Sequence, residues 1–209
     1  MRFESVQLFI DEAATDATAF EAGVNAALAA LPGLRRHHLG RNLEGCWGAG
    51  SHTLDLEWDD GAPVADSAAL LAPVPGFGRA DAVTYQRLGG GVRDPQLQGG
   101  IWRTLLLRVR PEVDAAQVAD LEHDLLRMPA YMRGIRNWNL GRVTSDSRWT
   151  HVWQQEYAEV GDLLGEYLVH PFHWGFVDRW FDPEFPEWTV EVQLCHAFCP
   201  LRDTLLGRR

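Results

Sequence analysis

The sequence predicts an α+β fold in which two βαββαβ units are fused in one chain. Three observations predict it. The first is an internal repeat: Gly33–Arg41 (GLRRHHLGR) returns as Gly134–Arg142 (GIRNWNLGR), and Ser51–Trp58 (SHTLDLEW) as Thr150–Tyr157 (THVWQQEY). The offset of about 100 residues is too long for a solenoid repeat and fits a duplicated domain. The second is a common order of apolar strands and amphipathic helices in both halves. The third is a glycine-rich stretch, Gly89-Gly90-Gly91 through Gly99-Gly100, between them. Such a stretch reads as a linker. The order βαββαβ is ferredoxin-like.

The elements follow in order. An apolar strand opens each unit, at Val6–Ile10 and Thr104–Val109. Helices are predicted over Thr15–Leu31 and Asp114–Arg127, the second with Asp114 as N-cap. Pro32-Gly33 ends the first, and Met128-Pro129 is expected to end the second. Two strands then form a hairpin, with clear alternation in Thr53–Trp58. A second helical region and a last strand complete each unit, the latter at Ala82–Leu88 and Trp188–His196. A four-stranded sheet with helices on one face leaves the other face apolar and uncovered, so the two sheets are expected to pack face to face as a pseudo-dimer within the chain. The division is 1–92 for a first, structural unit, 93–100 for the linker, 101–199 for a second unit holding the site, and 200–209 for a tail.

Composition narrows the function. The net charge of −10 argues against a nucleic-acid surface, which needs clustered Lys and Arg. Arg35-Arg36 and Arg208-Arg209 read as solvated surface. No apolar run reaches the ~18 residues of a membrane span, and MRFESVQLFIDE turns acidic too soon for a signal peptide. Three cysteines are too few for a disulfide framework, so a cytoplasmic protein with reduced thiols is expected.

The chemistry-bearing groups lie in the second half. Tyr167-x-x-His170-Pro171-x-His173-x-x-Phe176 faces a counterpart, Leu70-x-x-Pro73-x-x-x-Phe77, with no titratable group. If Pro171 opens a helix, His173 falls in its first turn, where the positive end of the dipole disfavours an imidazolium. A neutral imidazole suits a general base, and Tyr167 could donate to an oxygen on which negative charge develops. His170 reads as a cap or a support for His173. Seven of the nine tryptophans fall in the second half. Most are expected to be core, with Trp174 and Phe172 as the better pocket candidates.

Other site types fit poorly. Cys195-His196-x-x-Cys199 lies on a predicted strand, where alternation turns the cysteines to one face and His196 to the other. His37 and His38 diverge for the same reason. His170, His173 and Glu191 would make a two-histidine, one-carboxylate site only by converging. Phosphate-loop and serine-hydrolase motifs are missing. A site without metal or cofactor is expected.

Residues 101–199 resemble the stress-responsive dimeric α/β-barrel (Dabb) family. The resemblance rests on Tyr167-x-x-His170-Pro171-x-His173-x-x-Phe176, with His151 in Trp149–Val152 and with Glu156-Tyr157 matching the family's hairpin. It implies a dimeric-α/β-barrel-like arrangement completed within one polypeptide, acting as a monomer or weak homodimer. By similarity to polyketide cyclases of the olivetolic acid cyclase type, it implies catalysis by His173 and Tyr167. Arg103 then stands where that type has a first-strand histidine, and Glu191 where it has an aspartate. The expected ligand is a small carbonyl compound, aromatic or polyketide-like, undergoing aldol cyclisation, elimination or isomerisation. Its expected contacts are His170, Arg103, Glu191, Phe172, Trp174, Phe176 and His151. A non-catalytic ligand-binding protein and a cofactor-free oxygenase are the alternatives.

Overall fold

The computed structural model describes residues 1–11, 16–29, 31–63 and 66–207. Thr15, the expected start of the first helix, and Arg208-Arg209 lie outside them. Eight strands form one continuous antiparallel sheet: β1 (Arg2–Ile10), β2 (Leu34–Arg41), β3 (His52–Trp58), β4 (Phe77–Val92), β5 (Gln98–Leu107), β6 (Ile135–Val143), β7 (His151–Tyr157) and β8 (Cys195–Asp203). Their order is β2-β3-β1-β4-β6-β7-β5-β8. Each half therefore has the ferredoxin-like order, and β4 of the first half pairs with β6 of the second. The free edges approach where Leu43 N donates to Phe198 O (3.0 Å) and Trp47 exchanges backbone bonds with His196 (2.9 and 2.7 Å). The fold is thus two fused units closing a dimeric-α/β-barrel-like sheet.

Three helices lie outside the barrel: α1 (Ala17–Leu28), α2 (Ser67–Leu71) and α3 (Ala115–Tyr131). Asp16, Asp66 and Asp114 cap them through side-chain oxygens. A helical arm of π- and 3₁₀-type turns covers Asp162–Tyr167 and His173–Trp180. Two cores result. Val6, Leu8, Leu54, Leu56 and Trp58 pack on Phe20 and Val24 of α1. Leu105, Leu107, Trp153 and Tyr157 pack on Leu121, Leu125 and Met128 of α3 and on the arm.

Four expectations are corrected. Gly89–Val92 and Gln98–Gly100 are strand rather than linker. The glycines are needed for close approach: a Cβ on Gly91 would sit 2.3 Å from the Trp138 ring, and one on Gly90 2.4 Å from the Trp138 carbonyl. Helix α3 runs past Pro129, and Arg93 caps its end by donating to the carbonyls of Pro129 (2.6 Å) and Met132 (3.3 Å). The last strand begins at Cys195, not Trp188, because Thr189 and Val190 donate instead to the Trp180 carbonyl (2.9 and 2.8 Å). It extends through Asp203 into the expected tail.

The fourth correction concerns the barrel interior, which is only partly apolar: beside clusters around Leu106 and Val152 and around Trp102 and Leu201 it holds a hydrogen-bonded polar network. Asp55 accepts from Trp102 Nε1 (2.6 Å) and Gln154 Nε2 (2.9 Å), and Tyr85 donates to Gln154 Oε1 (2.8 Å). These bonds join the two halves across the barrel, and their partners offset the cost of burying polar groups. Burial pushes the Asp55 carboxyl up from 3.8 to about 7, against those hydrogen bonds. Because the folded pKa is raised, this group's stabilisation is full below pH ~4 and is lost as pH rises through about 7. Asp55→Asn is expected to flatten that part of the stability profile. Urea midpoints at pH 5 and pH 8 test this: an unchanged pH slope in the variant would contradict the assignment.

Candidate functional site

Alternation along the strands determines which side chains leave the barrel and meet the helices. On β5, Arg103 and Leu105 point outward; on β7, Trp153 and Gln155; on β8, His196 and Phe198. Of these, Arg103, Leu105, Trp153 and His196 bound a cavity of ≈ 260 Å³ under the arm, with Leu125, Tyr167, His173, Val177, Asp178 and Phe181. Trp47 and Leu168 stand at its mouth, 56% and 44% exposed. Trp47 comes from the first unit. Its loop is tied to β8 by the Trp47–His196 backbone bonds and by Phe198 N donating to Cys46 Sγ (3.2 Å). Gly48 turns there at φ +64°, and a Cβ would lie 2.1 Å from the Leu194 carbonyl.

Pro171 interrupts the arm, and the chain restarts with His173 N donating to the His170 carbonyl (2.9 Å). That restart brings the His173 ring edge-on to Tyr167, with centroids 4.8 Å apart at 66°. Asp178 Oδ1 lies 3.0 Å from His173 Nδ1, close enough to pair with an imidazolium but out of line for a hydrogen bond. Burial holds His173 below its usual value; Asp178 opposes the shift and Arg103 adds to it. Burial also raises the Tyr167 phenol, while the Arg103 charge pulls it back. Both groups are therefore neutral near pH 7.

Arg103 is 3% exposed and lies on neutral partners. Its Nε donates to His196 Nε2 (2.9 Å), one Nη to Gln155 Oε1 (2.5 Å), and Cζ sits 5.1 Å from the Tyr167 ring centroid. Accepting at Nε2 leaves Nδ1 as the only place for the His196 proton in the neutral ring. Burial, reinforced by Arg103, pushes that histidine down to about 3.

The cavity brings together His173, Tyr167 and Arg103 of the residues expected from the sequence. The others lie elsewhere. His170 accepts from Phe172 N at Nδ1 (3.1 Å), a capping contact. Phe172 stacks between Tyr131 and Phe176, at 4.3 and 5.0 Å. Trp174 is 65% exposed, with its indole N–H on the Leu168 carbonyl (2.8 Å). His151 is held by Glu122 (2.9 Å), and Glu191 pairs with Arg108 (3.3 Å), ahead of the last strand instead of on it. Among the described residues no three His, Cys, Asp or Glu side chains gather as a metal site, so His170, His173 and Glu191 do not converge. Sequence reasoning missed His196, Asp178, Trp153 and Trp47. Strand alternation already separated His196 from the two cysteines, but the cavity on its side has no linear signature.

The cavity lies outside the barrel, between one sheet and the helical arm. A sequence model of the stress responsive A/B barrel domain matches residues 101–191. Over those residues the second unit is similar to the stress-responsive A/B barrel (Dabb) domain. That match spans β5 through the arm and ends just before β8. No curated protein matches the chain. Solved structures of similar fold include an anthrone oxidase-like protein (11% identity, TM-score 0.63, covering 99% of this chain and 94% of that one). A proposed monooxygenase from Lactobacillus acidophilus NCFM gives 12% identity and a TM-score of 0.58, covering 99% and 96%. Another from Fusobacterium nucleatum gives 10% and 0.61, covering 97% and 91%. At these identities the likeness is one of fold, spanning both units of the chain.

Proposed function

We propose that the second unit's cavity binds a small carbonyl compound, aromatic or polyketide-like, and that His173 and Tyr167 act on it by acid–base chemistry. The observation that carries this reading is the neutral His173 imidazole set edge-on to the Tyr167 phenol inside a mostly apolar cavity. His173 would remove a proton beside the carbonyl, and Tyr167 would donate to the oxygen as charge develops there. Asp178, 3.0 Å from Nδ1, would stabilise the imidazolium that forms. Aldol cyclisation of the olivetolic acid cyclase type, elimination and isomerisation all begin with that proton transfer. The first unit supplies half of the barrel and the Trp47 wall, so one chain has one site and a monomer suffices. Three free cysteines fit a reducing, cytoplasmic setting, and no helix among the described residues is long and apolar enough to cross a membrane.

The test is exchange of the methyl protons of a hydroxyacetophenone in deuterated buffer, followed by NMR. Exchange faster than buffer, lost in His173→Asn, supports the proposal; exchange at the buffer rate in the wild-type chain counts against it. A cofactor-free oxygenase is the second reading, supported by the names of the similar structures. Its carbanion would arise from the same base, and oxygen uptake coupled to product would distinguish it.

A further inference from the structure

We infer that the ligand of this cavity is an anion, a carboxylate or phenolate on a single aromatic ring, with its charge seated on Arg103. The inference rests on the reading of the cavity as a ligand site, and not on the reaction there. A guanidinium taken out of water is costly unless an opposite charge accompanies it. Arg103 is almost wholly buried, yet every partner it has is neutral: an imidazole, a primary amide and a phenol ring. Among the described residues no carboxylate makes an ion pair with it. Asp178 lines the same cavity but sits half exposed beside His173, outside ion-pairing distance of the guanidinium.

A second donor is left over in the same place. Trp153 lines the cavity and is fully buried, and its indole N–H, with only the Tyr167 phenol beside it, makes no well-formed hydrogen bond. A buried cation without a counter-charge and a buried N–H short of an acceptor, in one chamber, call for acceptor oxygens from the ligand. Size sets the rest: an apolar cavity of about 150 Å³ takes a benzene ring, so ≈ 260 Å³ fits one ring with a few substituents. The walls formed by Leu105, Leu125, Trp153, Val177 and Phe181 suit the face of such a ring.

Benzoate and benzamide, nearly equal in shape and different in charge, are the probes. Binding to the full chain is measured by calorimetry at low ionic strength. Benzoate is expected to bind at least tenfold more tightly than benzamide, and to raise Tm where benzamide does not. Arg103→Gln should bring the two affinities within about twofold of each other. His173→Asn should keep the benzoate preference even with no exchange activity, which separates this inference from the proposed reaction. Equal binding of the two probes, binding of neither, or a benzoate preference that survives in Arg103→Gln would overturn it. Should Arg103→Gln fail to fold, the wild-type Tm shifts and the His173→Asn affinities decide alone.

Discussion

Turnover of the proposed carbonyl substrate is expected to fall by roughly 10²–10⁴-fold in His173→Asn, the usual contribution of a positioned general base. Ligand affinity should change little, because the charge and the apolar walls that bind lie elsewhere in the cavity. The pH profile gives a sharper check. Only the deprotonated imidazole can accept a proton, so the rate is lost as pH falls through the His173 pKa. Burial sets that pKa below the ordinary 6.5, and the acid limb should lie correspondingly below it. Asp178 raises the value, so Asp178→Asn should move the limb further toward acid while lowering the plateau. A limb at or above pH 6.5, or a rate in His173→Asn matching wild type, would remove His173 from the role. Tyr167→Phe keeps the ring that packs against His173 and Tyr157 and deletes only the donor. Its loss should therefore appear in kcat more than in KM.

Glu156→Ala is expected to destabilise the chain by about 3–5 kcal/mol, a large effect for a polar side chain. The Glu156 carboxylate is fully buried and accepts from four donors: Asn137 Nδ2, Thr204 Oγ1 and Leu205 N, each at 2.6 Å, and Leu206 N at 2.9 Å. Those bonds fasten the end of β8 to the barrel, and β8 carries His196. Alanine leaves the Thr204 hydroxyl and the Leu205 and Leu206 amides without that acceptor, while Asn137 Nδ2 keeps the Asp94 carbonyl (2.8 Å). Glutamine keeps one oxygen for the two backbone amides but turns an NH₂ toward Asn137 Nδ2, so about 2 kcal/mol is expected for it. Urea unfolding measures both. At this chain length the alanine variant should lose roughly 10 °C in Tm. A cost under 1 kcal/mol would show that the network contributes little.

The contrast between these two sites shows what a linear pattern can reveal. Tyr167 and His173 were legible because a proline marks where the helix restarts, and local geometry then decides which side chains are neighbours. The unit order was legible because the GLRRHHLGR/GIRNWNLGR repeat aligns the two halves strand for strand. Glu156 reads the same in sequence as its neighbour Gln155, yet alternation sends one into the barrel and the other toward the cavity. Gly89–Gly91 looked like a linker because glycine has two meanings, freedom and close approach, and only the Trp138 indole beside Gly91 separates them. Phe172 and Trp174 flank His173 in sequence, but a helical turn points adjacent residues in different directions, so neither reaches the cavity.

Local and periodic properties were therefore determined by the chain's own order: two βαββαβ units, the N-cap at Asp114, and a titratable motif confined to one half. Tertiary structure decided everything that depends on register and on contacts across long separations. It brought Arg103, Tyr167, His173 and His196 from three elements to one cavity, placed Trp47 of the first unit at its mouth, and set hydrogen-bonded polar groups inside the barrel. The physical reason is range. Capping and periodicity act over a few residues, whereas a buried charge acquires its meaning from whatever distant strands bring, or fail to bring, within hydrogen-bonding distance of it.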